Sequence, residues 1–257
     1  MGGTIHILSQ SDYPLPVEYE QAYELSDRIV FETDISEVQT EEFQALIMER
    51  LTYSDGNNLK TILSKKTYDK LEKYFGKHGI PLSSLIQFKA GFIGIIITGL
   101  ELSRMGINSE GVDQYFFKRS IEDKKPIGLL ETVEQQIEFL EKMGEGYEDE
   151  FILSTWEDLD QLPATMESLM LSWRGGDINL LEEWLIGDLK KEYPDLYESI
   201  LINRNKRWMT TIEQMMETDG KEFFLVGTAH LAGDDGLLSM LEERGYGVEK
   251  FHDLLAR

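Results

Sequence analysis

Two of the four histidines in this chain stand in the same tetrapeptide. Gly3-Thr4-Ile5-His6 lies near one end and Gly227-Thr228-Ala229-His230 near the other. Two Gly-Thr-x-His segments in one chain are far more than composition alone gives, and imidazole is the commonest metal ligand in proteins. Carboxylates normally complete such a site. Two of them follow apolar runs here: Glu32 after Ile29-Val30-Phe31, with Asp34 just beyond, and Glu131 after Ile127-Gly128-Leu129-Leu130. A carboxylate at the end of a buried run is costly without a partner. The only basic cluster of an otherwise acidic chain spans Leu201 to Trp208. It offers Arg204 for bidentate binding of a carboxylate or oxyanion and Asn205 to orient a ligand. The chemistry these types suggest is a divalent ion held by two or three of His6, Glu32, His230 and Glu131. An open position would remain for water, and a free carboxylate would act as general base. Each residue also has a plain structural use. A histidine can be a hydrogen-bonded core residue, a glutamate a helix cap, and Asn203 the cap of a helix that carries Arg204.

For these residues to meet, four strands must end at one place. Short apolar runs at Thr4 to Leu8, Arg28 to Thr33, Pro126 to Leu130 and Glu222 to Val226 read as strands. A weaker fifth is expected from Gly247 to Phe251. Helices are expected at Pro16 to Leu25, Thr40 to Leu51, Thr67 to Phe75, Ser83 to Arg104, Val112 to Glu122 and Thr132 to Met143. Further ones are expected at Trp156 to Trp173, Ile178 to Lys190, Leu196 to Glu217 and Gly236 to Arg244. Thr132 and Gln135 form a Thr-x-x-Gln capping pattern. Strand–helix order at both ends suggests parallel pairing. The carboxyl ends of such strands form the ligand crevice of open α/β sheets. The expectation is a single α/β domain over 1–257, with a small mixed central sheet covered by many helices. Helical insertions are expected over 36–122 and 144–217.

The totals bound the function. The 257 residues carry 48 Asp+Glu against 25 Lys+Arg, a net charge of -23. So acidic a surface repels phosphate backbones and argues against nucleic acid as a partner. With no cysteine, disulfides, thiolate catalysis and Cys-bound zinc are excluded. The most apolar stretch, Ala90 to Leu100, is too short to span a bilayer. No signal peptide is visible at Met1. Location stays open between the cytoplasm and secretion or surface anchoring through a missing N-terminal segment. Phosphate-loop, Gly-x-Gly-x-x-Gly, His-Glu-x-x-His and Gly-x-Ser-x-Gly motifs are absent from the sequence. Met166, Met170, Met209, Met215 and Met216 read as core packing. His78 reads as a helix end and His252 as part of a charged tail.

Taken in order, several segments resemble the TraB/PrgY/GumN family. They are Gly3-Thr4-Ile5-His6, Tyr13-Pro14-Leu15-Pro16, Val30-Phe31-Glu32-Thr33-Asp34, Gly111-Val112-Asp113 and Leu130-Glu131-Thr132 with Gln135-Gln136. Arg204-Asn205 with Trp208, and Val226 to Leu231 with Gly233, Gly236-Leu237-Leu238 and Gly245-Tyr246, complete the series. The resemblance covers nearly the whole chain. It implies a relation to the Tiki metalloproteases and an erythromycin-esterase/ChaN-like α/β fold. It also implies a metal-dependent peptidase built on two Gly-x-x-His motifs and acidic residues. Manganese or cobalt would be the favoured ion and zinc a further candidate. His6, Glu32 and His230 would form the core of the site, with Glu131, Arg204 and Asn205 supporting it. Members of this family usually carry a strand leading into the first Gly-Thr-x-His, and here that lead is expected to be missing. The expected partner is a peptide or protein substrate, with the oligomeric state open. The alternative is a binding protein that captures a peptide, such as a pheromone, without cleaving it. An esterase on the same site is a third reading.

Overall fold

The computed structural model describes residues 1–251. Within it the chain forms two compact units, each assembled from separated stretches. The first comprises Met1–Ile35, Gly106–Thr132 and the chain from Ala164 onward. The second comprises Ser36–Met105 and Val133–Pro163. The architecture is α/β, with short strands under many helices, as expected.

Among the described residues, all the strands belong to the first unit: β1 (Gly2–Thr4), β2 (Ile7–Ser9), β3 (Arg28–Phe31), β4 (Ile107–Glu110), β5 (Ile127–Leu129) and β6 (Glu222–Gly227). Four form one wholly parallel sheet in the order β1-β6-β3-β5. β2 and β4 form a separate antiparallel pair. The two central strands are apolar without interruption because helices cover both faces. Successive side chains still alternate. Ile29, Phe31, Phe223 and Leu225 pack in one cluster with Tyr23, Phe116 and Trp173. Val30, Phe224 and Val226 pack in another with Trp208, Met209, Ile212 and Leu237. Since every strand of the main sheet is parallel, all four carboxyl ends lie along one edge.

Some boundaries differ from the sequence reading. The expected strand Thr4 to Leu8 is two strands broken at Ile5 and His6, because β1 pairs with β6 and β2 turns away to pair with β4. β1 covers the Gly3-Thr4 of the first Gly-Thr-x-His itself. β4 was not expected, as its Ile-Asn-Ser-Glu sequence has one apolar residue. Residues 247–250 carry no strand; Tyr246 and Val248 instead pack against the Val226 cluster. Positions 252–257, His252 among them, lie outside the described residues. The segment from Ile178 to Glu192 is helical with a π turn at Glu183–Gly187. Another π turn at Glu198–Ile202 leads into the helix Asn203–Met216. Asn203 is therefore inside continuous helix rather than at a cap. Of the five methionines read as core, Met216 is exposed while the others are buried or pack on the clusters.

The second unit is helical. Ser64 caps the helix Lys65–Lys77, accepting from the Thr67 amide, and the helix buries Thr67, Leu71 and Phe75 on one stripe. His78 caps its end, as expected. The long helix expected from Ser83 begins only at Ala90. Residues 85–87 form a turn instead and Phe88 bridges Thr52: Tyr53 N–H donates to the Gln87 carbonyl at 2.8 Å, and Lys89 N–H to that of Leu51 at 2.8 Å. In Ala90–Arg104 the buried Glu101 accepts from Tyr74 Oη at 2.9 Å and Arg104 Nε at 2.8 Å, so an apolar helix tolerates a carboxylate. Among the described residues, no helix is long and apolar enough to cross a membrane.

Candidate functional site

All six residues singled out above belong to the first unit, and the structure joins five of them in one buried network. Each strand end of the main sheet delivers one: β1 leads to His6, β3 to Glu32, β5 to Glu131 and β6 to His230. Glu32 continues the parity of Val30 and so turns toward the helix Asn203–Met216. That helix presents Arg204, Asn205 and Trp208 on its buried face.

Arg204 is the hub. Its Nη2 donates to Glu32 Oε2 at 2.7 Å and to Glu131 Oε1 at 2.6 Å. Its Nε lies 3.2 Å from both oxygens of Glu131. Its Nη1 donates to His230 Nε2 at 3.0 Å and to the Ile200 carbonyl at 3.3 Å. Trp208 Nε1 donates to Glu131 Oε2 at 3.0 Å, so Glu131 is engaged at both oxygens. Glu32 Oε1 accepts the Gly227 amide at 2.6 Å.

The two imidazoles are held alike. Asn205 Nδ2 donates to the carbonyls of His230 and Asp235, which leaves its Oδ1 to accept from His230 Nδ1 at 2.6 Å. His230 thus carries its proton on Nδ1 and turns a lone pair on Nε2 inward. His6 donates from Nδ1 to Asp113 Oδ2 at 2.9 Å and leaves Nε2 free of that bond. A Cβ added to Gly227 would stand 3.1 Å from Glu32 Oε1, 3.6 Å from His6 Nε2 and 3.6 Å from His230 Cδ2. Gly227 therefore marks a gap bordered by three of the expected residues.

Electrostatics sort their protonation. Burial raises Glu32, but His230, Arg204, His6 and the Gly227 amide overcome it and hold the carboxyl at about 2. Burial drives His230 down to about 3, against the pull of Glu32, so its ring is neutral. The side chain of His6 is 60% exposed, the most open of the set. Dense protein around the ring opposes its charge, yet Asp113, then Glu32, prevail and raise it to about 9, with Arg204 opposing. Burial works against the Arg204 charge as well, but Glu32 and Glu131 more than restore it and raise its pKa.

The donor set suits a divalent ion in one respect. Two histidines, each fixed at Nδ1 by an oxygen acceptor, border the gap that Gly227 keeps open beside a carboxylate. Such outer partners are what orient metal-binding imidazoles. Arg204 is the competing feature, since its Nη1 takes the His230 Nε2 lone pair. Among the described residues, no three His, Asp or Glu side chains stand in positions to hold an ion together. An ion coordinated by His6, Glu32 and His230 would need Arg204 to yield that lone pair. Glu131, engaged by Arg204 and Trp208, is placed to support rather than to ligate.

The TraB/PrgY/gumN family profile matches residues 1–250. This chain belongs to the TraB/PrgY/gumN family. Two curated relatives of this member are named "Metalloprotease TIKI2". The one from Xenopus tropicalis is 23% identical over 298 residues, covering 96% of this chain and 56% of its own. The one from Danio rerio is 22% identical over 303 residues, covering 96% and 57%. The chain thus spans little more than half the length of these relatives. No solved structure gives a significant match.

Sequence reasoning missed three participants in this TraB/PrgY/gumN member. Asp113 stood in a noted Gly-Val-Asp step, but its partner lies 107 positions away. Trp208 was noted without a role; here its ring lies 4.3 Å from that of His230 and 4.6 Å from the Arg204 guanidinium. Gly227 was read as part of a motif rather than as the wall of a gap.

Proposed function

We propose that this protein is a metal-dependent hydrolase that cleaves a peptide bond in a peptide or protein substrate. The observation that carries this reading is the pair of imidazoles, each anchored at Nδ1, that border the Gly227 gap beside Glu32. His6, Glu32 and His230 would hold the ion, with manganese or cobalt favoured and zinc a further candidate. When bound, such an ion polarises a carbonyl and acidifies water. The neutral His230 and the ionised Glu32 are already in the states ligation needs, and His6 must release a proton first. Glu32, whose Oε1 borders the gap, or Glu131 would take the proton from the attacking water. Glu131 fixes Arg204, and the Arg204 Nη1 that must leave His230 Nε2 for an ion to bind would then be free to donate to a developing oxyanion. The matches to proteins named metalloproteases support the hydrolase class.

The test is elemental analysis of purified protein followed by cleavage of a mixed peptide pool. Wild type and His6→Ala are compared with added manganese and with a chelator. Turnover that needs the ion and is lost in His6→Ala is expected. Equal turnover in both proteins would remove the proposal. One observation favours a second reading, capture of a peptide without cleavage: Arg204 already supplies a cation to His230 and Glu32. Tight peptide binding that survives chelation, with no cleavage, would select it.

A further inference from the structure

We propose that Asp113 is the positioning residue for His6, fixing the ring so that Nε2 faces the Gly227 gap. This rests on the reading of His6 as an ion ligand. The direct contact is the 2.9 Å bond from His6 Nδ1 to Asp113 Oδ2. What makes it more than a surface ion pair is the backbone built around it. β4 is paired with β2 so that Glu110 stands opposite Ile7, and Val112 N–H donates to the Ile5 carbonyl at 3.1 Å. These contacts clamp the start of the helix Val112–Asp123 against the two residues flanking His6. Tyr13 Oη braces the same turn by donating to the Glu110 carbonyl at 2.8 Å.

Gly111 is the hinge of this clamp. A Cβ there would overlap the carbonyl carbon and oxygen of His6 and the carbonyl of Ile5, so only glycine admits this approach. Asp113 then falls in the first helical turn, where a carboxylate is favoured by exposed backbone amides. Its second oxygen, Oδ1, is buried with no hydrogen-bond partner among the described residues. A buried acceptor left unpaired is costly, and here the geometry sacrifices it to keep Oδ2 on the imidazole. A pair whose histidine is 60% exposed contributes little to stability, so folding alone does not account for this arrangement. His230 shows the same design with a neutral partner, Asn205 Oδ1 at 2.6 Å. Both imidazoles that border the gap are therefore gripped at Nδ1, and Asp113 does this for the exposed one.

The experiment uses the ion-free full chain, labelled with nitrogen-15, at low temperature. A downfield imidazole N–H proton that disappears in His6→Ala is assigned to His6 Nδ1. It should be present in wild type, retained in Asp113→Asn, whose side chain still accepts a hydrogen bond, and lost in Asp113→Ala. Asp113→Ser is too short to reach the ring and repeats the test if the alanine variant does not fold. Manganese affinity, measured by calorimetry, should weaken about 10–100-fold in Asp113→Ala and less in Asp113→Asn. A His6 signal that persists without Asp113, or is absent from folded wild type, overturns the positioning role whatever the ion does. A signal that follows Asp113 while wild type takes up no manganese upholds the positioning and removes the metal-dependent reading instead.

Discussion

Replacing Arg204 with methionine tests whether the centre of the site is held by charge. The side chain is nearly isosteric along its stem but leaves two carboxylates without their cation. Glu131, 1% exposed at its side chain, would keep only Trp208 Nε1, and Glu32, 10% exposed, would keep the Gly227 amide. Removing one partner of a buried ion pair costs about 3–5 kcal/mol, because the remaining charge is neither solvated nor paired. At this chain length that lowers Tm by about 6–20 °C. Scanning calorimetry of ion-free protein would measure it, since a bound divalent ion could replace the lost charge. The pH dependence adds a second check. Arg204 is among the groups that hold Glu32 at about 2, and without it burial makes Glu32 take up protons more readily. The folded variant then binds more protons than folded wild type, so the gap between them narrows as pH falls. Arg204→Lys should lie between the two, as it keeps the charge but not the fork. A Tm within about 2 °C of wild type, or a gap that widens on acidification, would refute the reasoning.

Gly227→Ala should keep the fold with a small shift of Glu32, as its φ -49 and ψ 134 suit alanine and the new Cβ would stand 3.1 Å from Glu32 Oε1. Its methyl would fill the gap, so calorimetry should show manganese affinity reduced at least about tenfold; undiminished affinity would place the ion elsewhere. His230 is lowered from 6.5 to about 3, so the unfolded chain binds a proton that the folded one refuses in that window. Stability of the ion-free protein should therefore fall by up to about 1.4 kcal/mol per unit as pH drops from 6.5. Urea midpoints would show it, and His230→Gln should flatten the slope. His6 is raised to about 9 and must lose its proton to ligate, so manganese affinity should climb up to about tenfold per pH unit toward that value. A flat titration would exclude His6 as a ligand. Asn205→Ala frees the His230 ring to rotate and should lower kcat about 10–100-fold with little change in KM; steady-state kinetics on a cleaved peptide would tell.

The sheet was legible because its strands follow elementary rules. Ile29-Val30-Phe31 and Phe223-Phe224-Leu225-Val226 are apolar on both faces, as buried parallel strands must be. The candidate site was legible in its ends, since both glutamates and His230 come after such runs and His6 repeats the Gly-Thr-x-His pattern of His230. What sequence could not carry is set by distant partners. β4 is a strand because β2 lies beside it, and Asp113 matters because a backbone clamp brings it under His6. The break before Ala90 arises from pairing with residues 51–53, which overrides a helical apolar pattern. The hold of Arg204 on His230 Nε2 follows from which helix face meets the sheet, and spacing does not encode that. Two glycines just before Val248 similarly outweighed the weak apolar run there.

The hydrogen bond from Thr228 Oγ1 to the Thr4 carbonyl joins positions 224 apart, and β1 and β6 are neighbours in the sheet. β1 therefore cannot take its place in the sheet until β6 has been made. A growing polypeptide on the ribosome has neither the second imidazole nor the wall that Gly227 provides until synthesis has passed His230. At typical elongation rates that delay is on the order of ten seconds or more.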